Sequence, residues 1–241
     1  MSRPSPTAER ATRPTRAALA AMRLRDVAAN LEDPNGAPSL GRWARQRRWR
    51  MFAELFPDIH ELRVLDLGGT ASTWLHAPVR PREVVAVNHA PAETADHGWL
   101  RVIAGDATAL PVDVVGDGFD LVYSNSVIEH VGGHAARAAF ADAVRRSAPR
   151  YWVQTPYRYF PVEPHWMCPG FQFLPTAAKV YVSQRWPTGY HRAPPDKTLG
   201  AVLAVELLDA TTMRHHFPEA SLVREKVAGL TKSLIAVRSR P

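Results

Sequence analysis

The sequence predicts an α/β protein built on a mostly parallel seven-stranded sheet, closed by an antiparallel C-terminal hairpin and preceded by N-terminal helices. Three observations carry this. From Leu62 onward, five short β-rich runs recur, each apolar throughout and each followed by a polar or glycine-bearing turn; continuous apolar strands suit a parallel sheet buried on both faces. A strongly amphipathic helix, "GGHAARAAFADAVRRSAP", separates the fourth run from the fifth and ends at Pro149. The last two strand-like runs, 221–229 and 232–239, lie so close together that they must pair as a hairpin.

Residues 1–15, rich in Pro, Arg, Ser and Thr, read as a flexible basic tail. Residues 16–57 read as a helical cap of two helices, about 16–31 and about 39–56. The second starts at Ser39, an N-cap residue after the "EDPNGAP" turn. Trp43, Trp49, Phe52 and Leu55 would face inward on it and the arginines outward. Residues 58–241 form the main domain, with strands at 62–67, 83–88, 100–106, 119–125 and 150–156. An insert over 157–191 follows the fifth strand, dense in aromatics, and helices near 198–208 and 210–216 precede the hairpin.

Composition narrows the function classes. Among 241 residues, 46% are hydrophobic and 22% charged, and no stretch approaches the roughly 20 apolar residues of a membrane span. The N-terminus lacks the apolar segment and cleavage site of a secretory signal, so a cytoplasmic address is expected. Cys168 is the single cysteine, which excludes an intrachain disulfide and a cysteine metal cluster. The formal charge of +7 sits wholly in residues 1–50, where 11 arginines face Glu9, Asp26, Glu32 and Asp33. The "RWARQRRWR" patch (42–50) reads as the polar face of a helix in preference to a nucleic-acid surface, because its aromatics hold helical spacing and no nucleic-acid motif accompanies it.

The stretch "VLDLGGTASTW" (64–74) closes the first strand at the place where the crevice of an open α/β sheet lies. A dinucleotide fingerprint needs glycines at its first, third and sixth positions, but 68–73 read Gly, Gly, Thr, Ala, Ser, Thr. A phosphate loop needs a lysine, and none occurs before Lys179. What remains is a ligand that needs close backbone approach and a nearby acid, without a triphosphate cradle.

"VLDLGG", "VVAVN", "VIAGDATALP" and "FDLVYSNSVIEHV" together resemble, in order and spacing, the cofactor motifs of class I S-adenosylmethionine-dependent methyltransferases, over roughly residues 60–240. The likeness is strongest to the branch with the ubiquinone and menaquinone methyltransferases. The "GGT...W" variant with "TPYRYFPVEPHW" resembles small bacterial O-methyltransferases, among them actinobacterial enzymes that methylate sugars. The resemblance implies a Rossmann-like fold and S-adenosyl-L-methionine as cofactor. Gly68 and Gly69 would then meet its methionine part, and Asp66 would order the turn or the ligand's ammonium. Asn88 stands where the family usually has the acid that takes the ribose hydroxyls; its amide would accept one bond and donate another. Asp106, with Gly105 and Ala107, would meet the adenine, and Ser124, Asn125 and Ser126 would approach from below. Thr70 and Ser72 depart from the family's glycines.

Methyl transfer is an in-line displacement, so the protein must align the nucleophile and, for a hydroxyl, take its proton. His130 in "SVIEHVGG" and His165 in "PVEPHW" are the candidate bases. Ubiquinone-type relatives hold a divalent metal with a carboxylate pair and the histidine of "EH"; Glu129 and His130 match, but Ser126 stands at the other carboxylate position. A metal such as magnesium would need further ligands, for which Glu163 and His165 are available. In the insert, Tyr157, Tyr159, Glu163 and Trp166 are the candidate acceptor contacts, their aromatic faces suited to sugar C–H faces or an aromatic acceptor. The resulting expectation is an O-methyltransferase of a small molecule or oligosaccharide, most plausibly a sugar hydroxyl, with the N-terminal helices closing over the cofactor or forming a homodimer contact. The alternatives are an aromatic or quinone-like hydroxyl or a nitrogen acceptor, and a non-enzymatic nucleic-acid-binding protein.

Overall fold

The computed structural model describes residues 40–89, 96–110, 114, 116, 118–186 and 193–240. The expected tail, the helix over 16–31, and Tyr190 and His191 of the insert lie outside them. Helix α1 (Leu40–Leu55) stops before Pro57, which cannot donate a helical bond and biases the residue before it out of the helix. After a 3₁₀ turn come β1 (Arg63–Leu67), the short α2 (Ala71–Leu75), β2 (Glu83–Asn88), β3 (Leu100–Ala104) and β4 (Leu121–Asn125). Helix α3 (His134–Ser147) leads to β5 (Arg150–Pro156). The insert holds a two-stranded ladder, β6 (Val162–Glu163) with β7 (Cys168–Pro169), then α4 (Thr176–Arg185) and α5 (Thr198–Leu203). Helix α6 (Ala210–His216), β8 (Ser221–Val227) and β9 (Leu230–Arg238) complete the chain.

The main sheet has seven strands in the order β3-β2-β1-β4-β5-β9-β8. The pairs β1–β2, β2–β3, β1–β4 and β4–β5 are parallel, while β5–β9 and β8–β9 are antiparallel. This is the expected architecture, and it puts the reversal of strand order between β1 and β4. A crevice opens at that point because the connections leave in opposite directions.

The strand period of two sorts β1 onto two cores. Leu65 and Leu67 pack with Val85, Val122, Phe140 and Val144 on the face covered by α3 and α6. Val64 packs with Phe52, Phe56, Trp74, Leu121 and Trp152 on the face covered by α1 and α2. Both faces are apolar, which is why the strands read as continuous hydrophobic runs.

Helix α1 corrects one expectation. Phe52 is fully buried and Ala44 nearly so, whereas Trp43 is 45% exposed, with the Arg47 guanidinium 5.5 Å from its ring centre. The buried stripe runs through Ala44, Arg48, Phe52 and Phe56, and Trp43 stands one residue off it. Nor do all the arginines face water. Arg48 turns inward and pairs with the buried Glu225 at 2.8 Å, so it fastens α1 to the hairpin.

Candidate active site

The first three strand ends are laced into one rim. Gly68 donates its N–H to Val87 O (2.7 Å) and Gly105 to Asn88 O (3.0 Å). The Asn88 side-chain amide donates to Gly68 O (3.3 Å) and Gly69 O (3.1 Å). Its nitrogen thus shapes the turn, where sequence reasoning had it donating to a ligand. Gly68 has φ of +84°, and a Cβ there would come within 2.3 Å of Val127 Cγ2. A Cβ at Gly69 would stand 1.7 Å from Asp66 Oδ2. Both positions therefore exclude side chains by contact, and at Gly68 by conformation as well.

Asp66 lies under this turn, 1% exposed, with the Trp74 indole N–H donating to Oδ2 at 2.7 Å. Burial pushes its pKa up to about 7, opposed by the indole bond. Of the two roles left open for Asp66, this placement supports the ordering of the turn. Asp106, at the end of β3, is exposed; its Oδ1 accepts from the N–H (2.8 Å) and hydroxyl (2.7 Å) of Thr108, and these bonds lower its pKa. Gly105 and Ala107 flank it, partly exposed.

On β4, Ser124 is fully buried and donates to Leu67 O (2.9 Å), tying β4 to β1 beneath the crevice. Asn125 accepts from Arg48 Nη1 at 2.8 Å. Ser126, in the left-handed region at φ of 57°, bonds Gln154 Oε1 through its hydroxyl at 3.1 Å. A cavity of about 370 Å³ beside the turn is lined by Arg45, Arg48, Trp49, Thr70, Tyr123 and Asn125, among others. Trp49 stacks on Tyr123 with ring centres 5.6 Å apart. The inward Trp49 and a helix closing over this end of the sheet were expected; Arg45 and Arg48 were not, because the arginines of "RWARQRRWR" were read as a solvated face.

The loop after β4 and the insert meet over the same strand ends. His165 Nδ1 lies 2.6 Å from Glu163 Oε1, and His165 Nε2 lies 3.2 Å from His130 Nε2. Glu163 is 2% exposed, and its other oxygen accepts from Trp166 N at 2.8 Å. Glu129 is buried beside them; Thr155 donates to its Oε2 (2.9 Å), and its Oε1 has no hydrogen-bond partner among the described residues. Burial pushes Glu129 up to about pKa 7. One ligand atom each from Glu129, His130 and His165 lies within 4.8 Å of the others. In a neutral His165 that donates from Nδ1 to the carboxylate, Nε2 is the accepting nitrogen; this tautomer follows from the bonding pattern.

The other insert residues separate. Trp166 is 3% exposed and stacks on Phe171 with ring centres 4.5 Å apart, so it belongs to the insert's own core. Tyr159 is 55% exposed and stacks on Phe173, while Tyr157 meets Tyr159 edge to face.

No family model matches the sequence, and no curated protein matches it. Solved structures do. Magnesium protoporphyrin IX methyltransferase from Synechocystis PCC 6803, with bound SAH, superposes with a TM-score of 0.51 at 12% identity, over 88% of this chain and 93% of that one. An S-adenosylmethionine dependent methyltransferase from Mesorhizobium loti gives a TM-score of 0.51 at 14% identity, over 86% of this chain and 100% of that one. The fold is that of the S-adenosylmethionine-dependent methyltransferases.

Proposed function

We propose that the protein is an S-adenosylmethionine-dependent O-methyltransferase that acts on a hydroxyl of a small molecule, a sugar or oligosaccharide in first place. The observation that carries this reading is the Glu163–His165–His130 chain at the end of β4, beside the crevice of a methyltransferase fold. The ligand-side surfaces fit the cofactor: a turn with no room for side chains, an exposed acid at Asp106, and a cavity whose arginines, Arg45 and Arg48, suit a carboxylate. When bound, the cofactor supplies a methyl group already activated by its sulfonium.

The residues of the chain then have separable tasks. Gly68 and Gly69 admit the ligand to the backbone, Asn88 holds their carbonyls, and Asp106 accepts from a donor at the adenine end. Glu163 fixes the His165 ring, and the histidine pair takes the hydroxyl proton. Tyr157, Tyr159 and the described part of the insert, 157–186, cover the acceptor as a lid. Incubating the protein with methyl-labelled cofactor and separate sets of saccharides and phenols tests this. Label on a saccharide oxygen supports the reading; label only on phenols or amines moves the acceptor class, and no cofactor binding removes the enzyme.

A second reading rests on Glu129, whose Oε1 has no hydrogen-bond partner among the described residues and which brings a carboxylate oxygen within 4.8 Å of a nitrogen of each histidine. Two imidazole nitrogens and one carboxylate suit zinc, manganese or iron better than magnesium, which asks for more oxygen. With such a cation, Glu129, His130 and His165 would hold it, and it would lower the pKa of the acceptor hydroxyl.

A further inference from the structure

A second cavity, about 280 Å³, opens between the insert and residues 202–207, with Glu163 in its wall. Its charged wall residues are Arg158, Lys179, Glu163 and Glu206. The two acids are already engaged: Glu163 with His165 and Trp166 N, Glu206 with Arg137. Neither the Arg158 guanidinium nor the Lys179 ammonium forms an ion pair or side-chain hydrogen bond among the described residues. Lys179 lies within the field of Glu163 and Glu206, and Arg158 within that of Asp209. Gln172 is a further polar residue of the wall. Its amide nitrogen donates to Arg158 O (3.0 Å) and Phe160 O (2.7 Å), which leaves Oε1 buried in the cavity wall with no partner among the described residues. Trp166 and Phe171, stacked on each other, supply the apolar wall.

We propose that this cavity seats an anionic group of the acceptor between Arg158 and Lys179, so that the acceptor is a sugar bearing a carboxylate or a phosphate and not a neutral one. The proposal rests on the O-methyltransferase reading and names its substrate class. A guanidinium fork and an ammonium facing one cavity match the paired oxygens of either anion. Glu163 belongs to both the cavity wall and the histidine chain, so an anion held there directs the rest of the acceptor towards His165.

The test measures binding of glucose, glucuronate and glucose 1-phosphate to the full chain saturated with S-adenosylhomocysteine, by saturation-transfer NMR at physiological salt. One of the two anions should bind at least about tenfold more tightly than glucose, as charge-assisted bonds of this kind carry; which one does so tells carboxylate from phosphate. The Arg158→Gln, Lys179→Gln double variant should lose that preference and keep its S-adenosylhomocysteine affinity, which shows that it folds. Arg158→Lys should keep part of it. Equal binding of all three sugars, or a preference that survives the double variant, overturns the proposal. The same three sugars are titrated against the protein without S-adenosylhomocysteine, so that failure of the parent to bind S-adenosylhomocysteine strikes at the methyltransferase reading and leaves the sugar preference to be read by itself.

Discussion

Trp74 donates its indole N–H to Asp66 Oδ2 across 2.7 Å, directly beneath Gly69, where a Cβ would collide with that same oxygen. The acid is therefore sealed under the glycine turn. Its pKa is raised by burial from 3.8 to about 7, so the folded state holds a proton that the unfolded state releases at lower pH. The sign follows: over roughly pH 4 to 7 the native state binds more protons, and stability from this site falls as pH rises. Asp66→Asn keeps an acceptor for Trp74 and a donor in place of the acid proton. We expect its stability relative to the parent to grow between pH 4 and pH 8, by a few kcal/mol at most at about 1.4 kcal/mol per unit. Urea unfolding at both pH values checks this, and parallel profiles for the two proteins would exclude it.

Asn88 holds Gly68 O and Gly69 O through its amide nitrogen. The methyltransferases that the sequence resembles usually carry an acid at this position, yet Asn88→Asp would here replace a donor with a carboxylate facing two carbonyl oxygens. The expected outcome is a loss of about 1–3 kcal/mol, seen as lower stability or weaker cofactor affinity. Calorimetry on the purified variant decides it. A gain in cofactor affinity would mean that the ribose contact outweighs the turn.

The contrast between Phe52 and Trp43 tests how α1 is fixed. Phe52 is fully buried among Trp49, Tyr123 and Trp152, with Trp152 5.4 Å away between ring centres. Removing that ring should cost about 3–5 kcal/mol, while Trp43→Ala, on the exposed side, should stay within about 0.5 kcal/mol. Thermal unfolding of the two variants should separate clearly. Similar losses would place Trp43 in an interface between copies of the chain.

The sheet was legible because its strands are buried on both faces. β2 and β5 run over the residues read from the sequence, and the hairpin pairs as its short connection requires. α1 was legible in extent and in the inward facing of Trp49, Phe52 and Leu55, but not at Trp43, which lies six residues from Trp49 and cannot share a narrow stripe with it. The inward turn of Arg48 depended on Glu225, 177 residues away, which no local pattern announces. The same limit applies to the candidate site. His130 and His165 each stood out in the sequence as candidate bases, but their 3.2 Å contact comes from the insert folding back over β4. Gln172 and Lys179 carried no motif, and only the folded structure puts them in one cavity wall with Arg158.

Glu129 separates the two accounts of proton removal. Its Oε1 is buried without a hydrogen-bond partner among the described residues, and desolvation holds its pKa near 7, so without a cation the side chain is substantially protonated at neutral pH. Glutamine then mimics it: Thr155 can still donate to the side-chain oxygen, and the histidine pair keeps Glu163. On this account Glu129→Gln retains turnover within about threefold and chelators do nothing, whereas His165→Ala lowers turnover by roughly 10²–10⁴ with cofactor affinity preserved. If Glu129, His130 and His165 hold a cation, the amide removes the one anionic ligand. Glu129→Gln should then lose bound metal by elemental analysis, together with activity, and zinc or manganese should restore the chelated parent but not the variant. We expect the first pattern, because the Glu163–His165 contact already orients a base without a metal. A Glu129→Gln protein that is inactive and metal-free, beside a parent that carries stoichiometric metal, would reverse that choice.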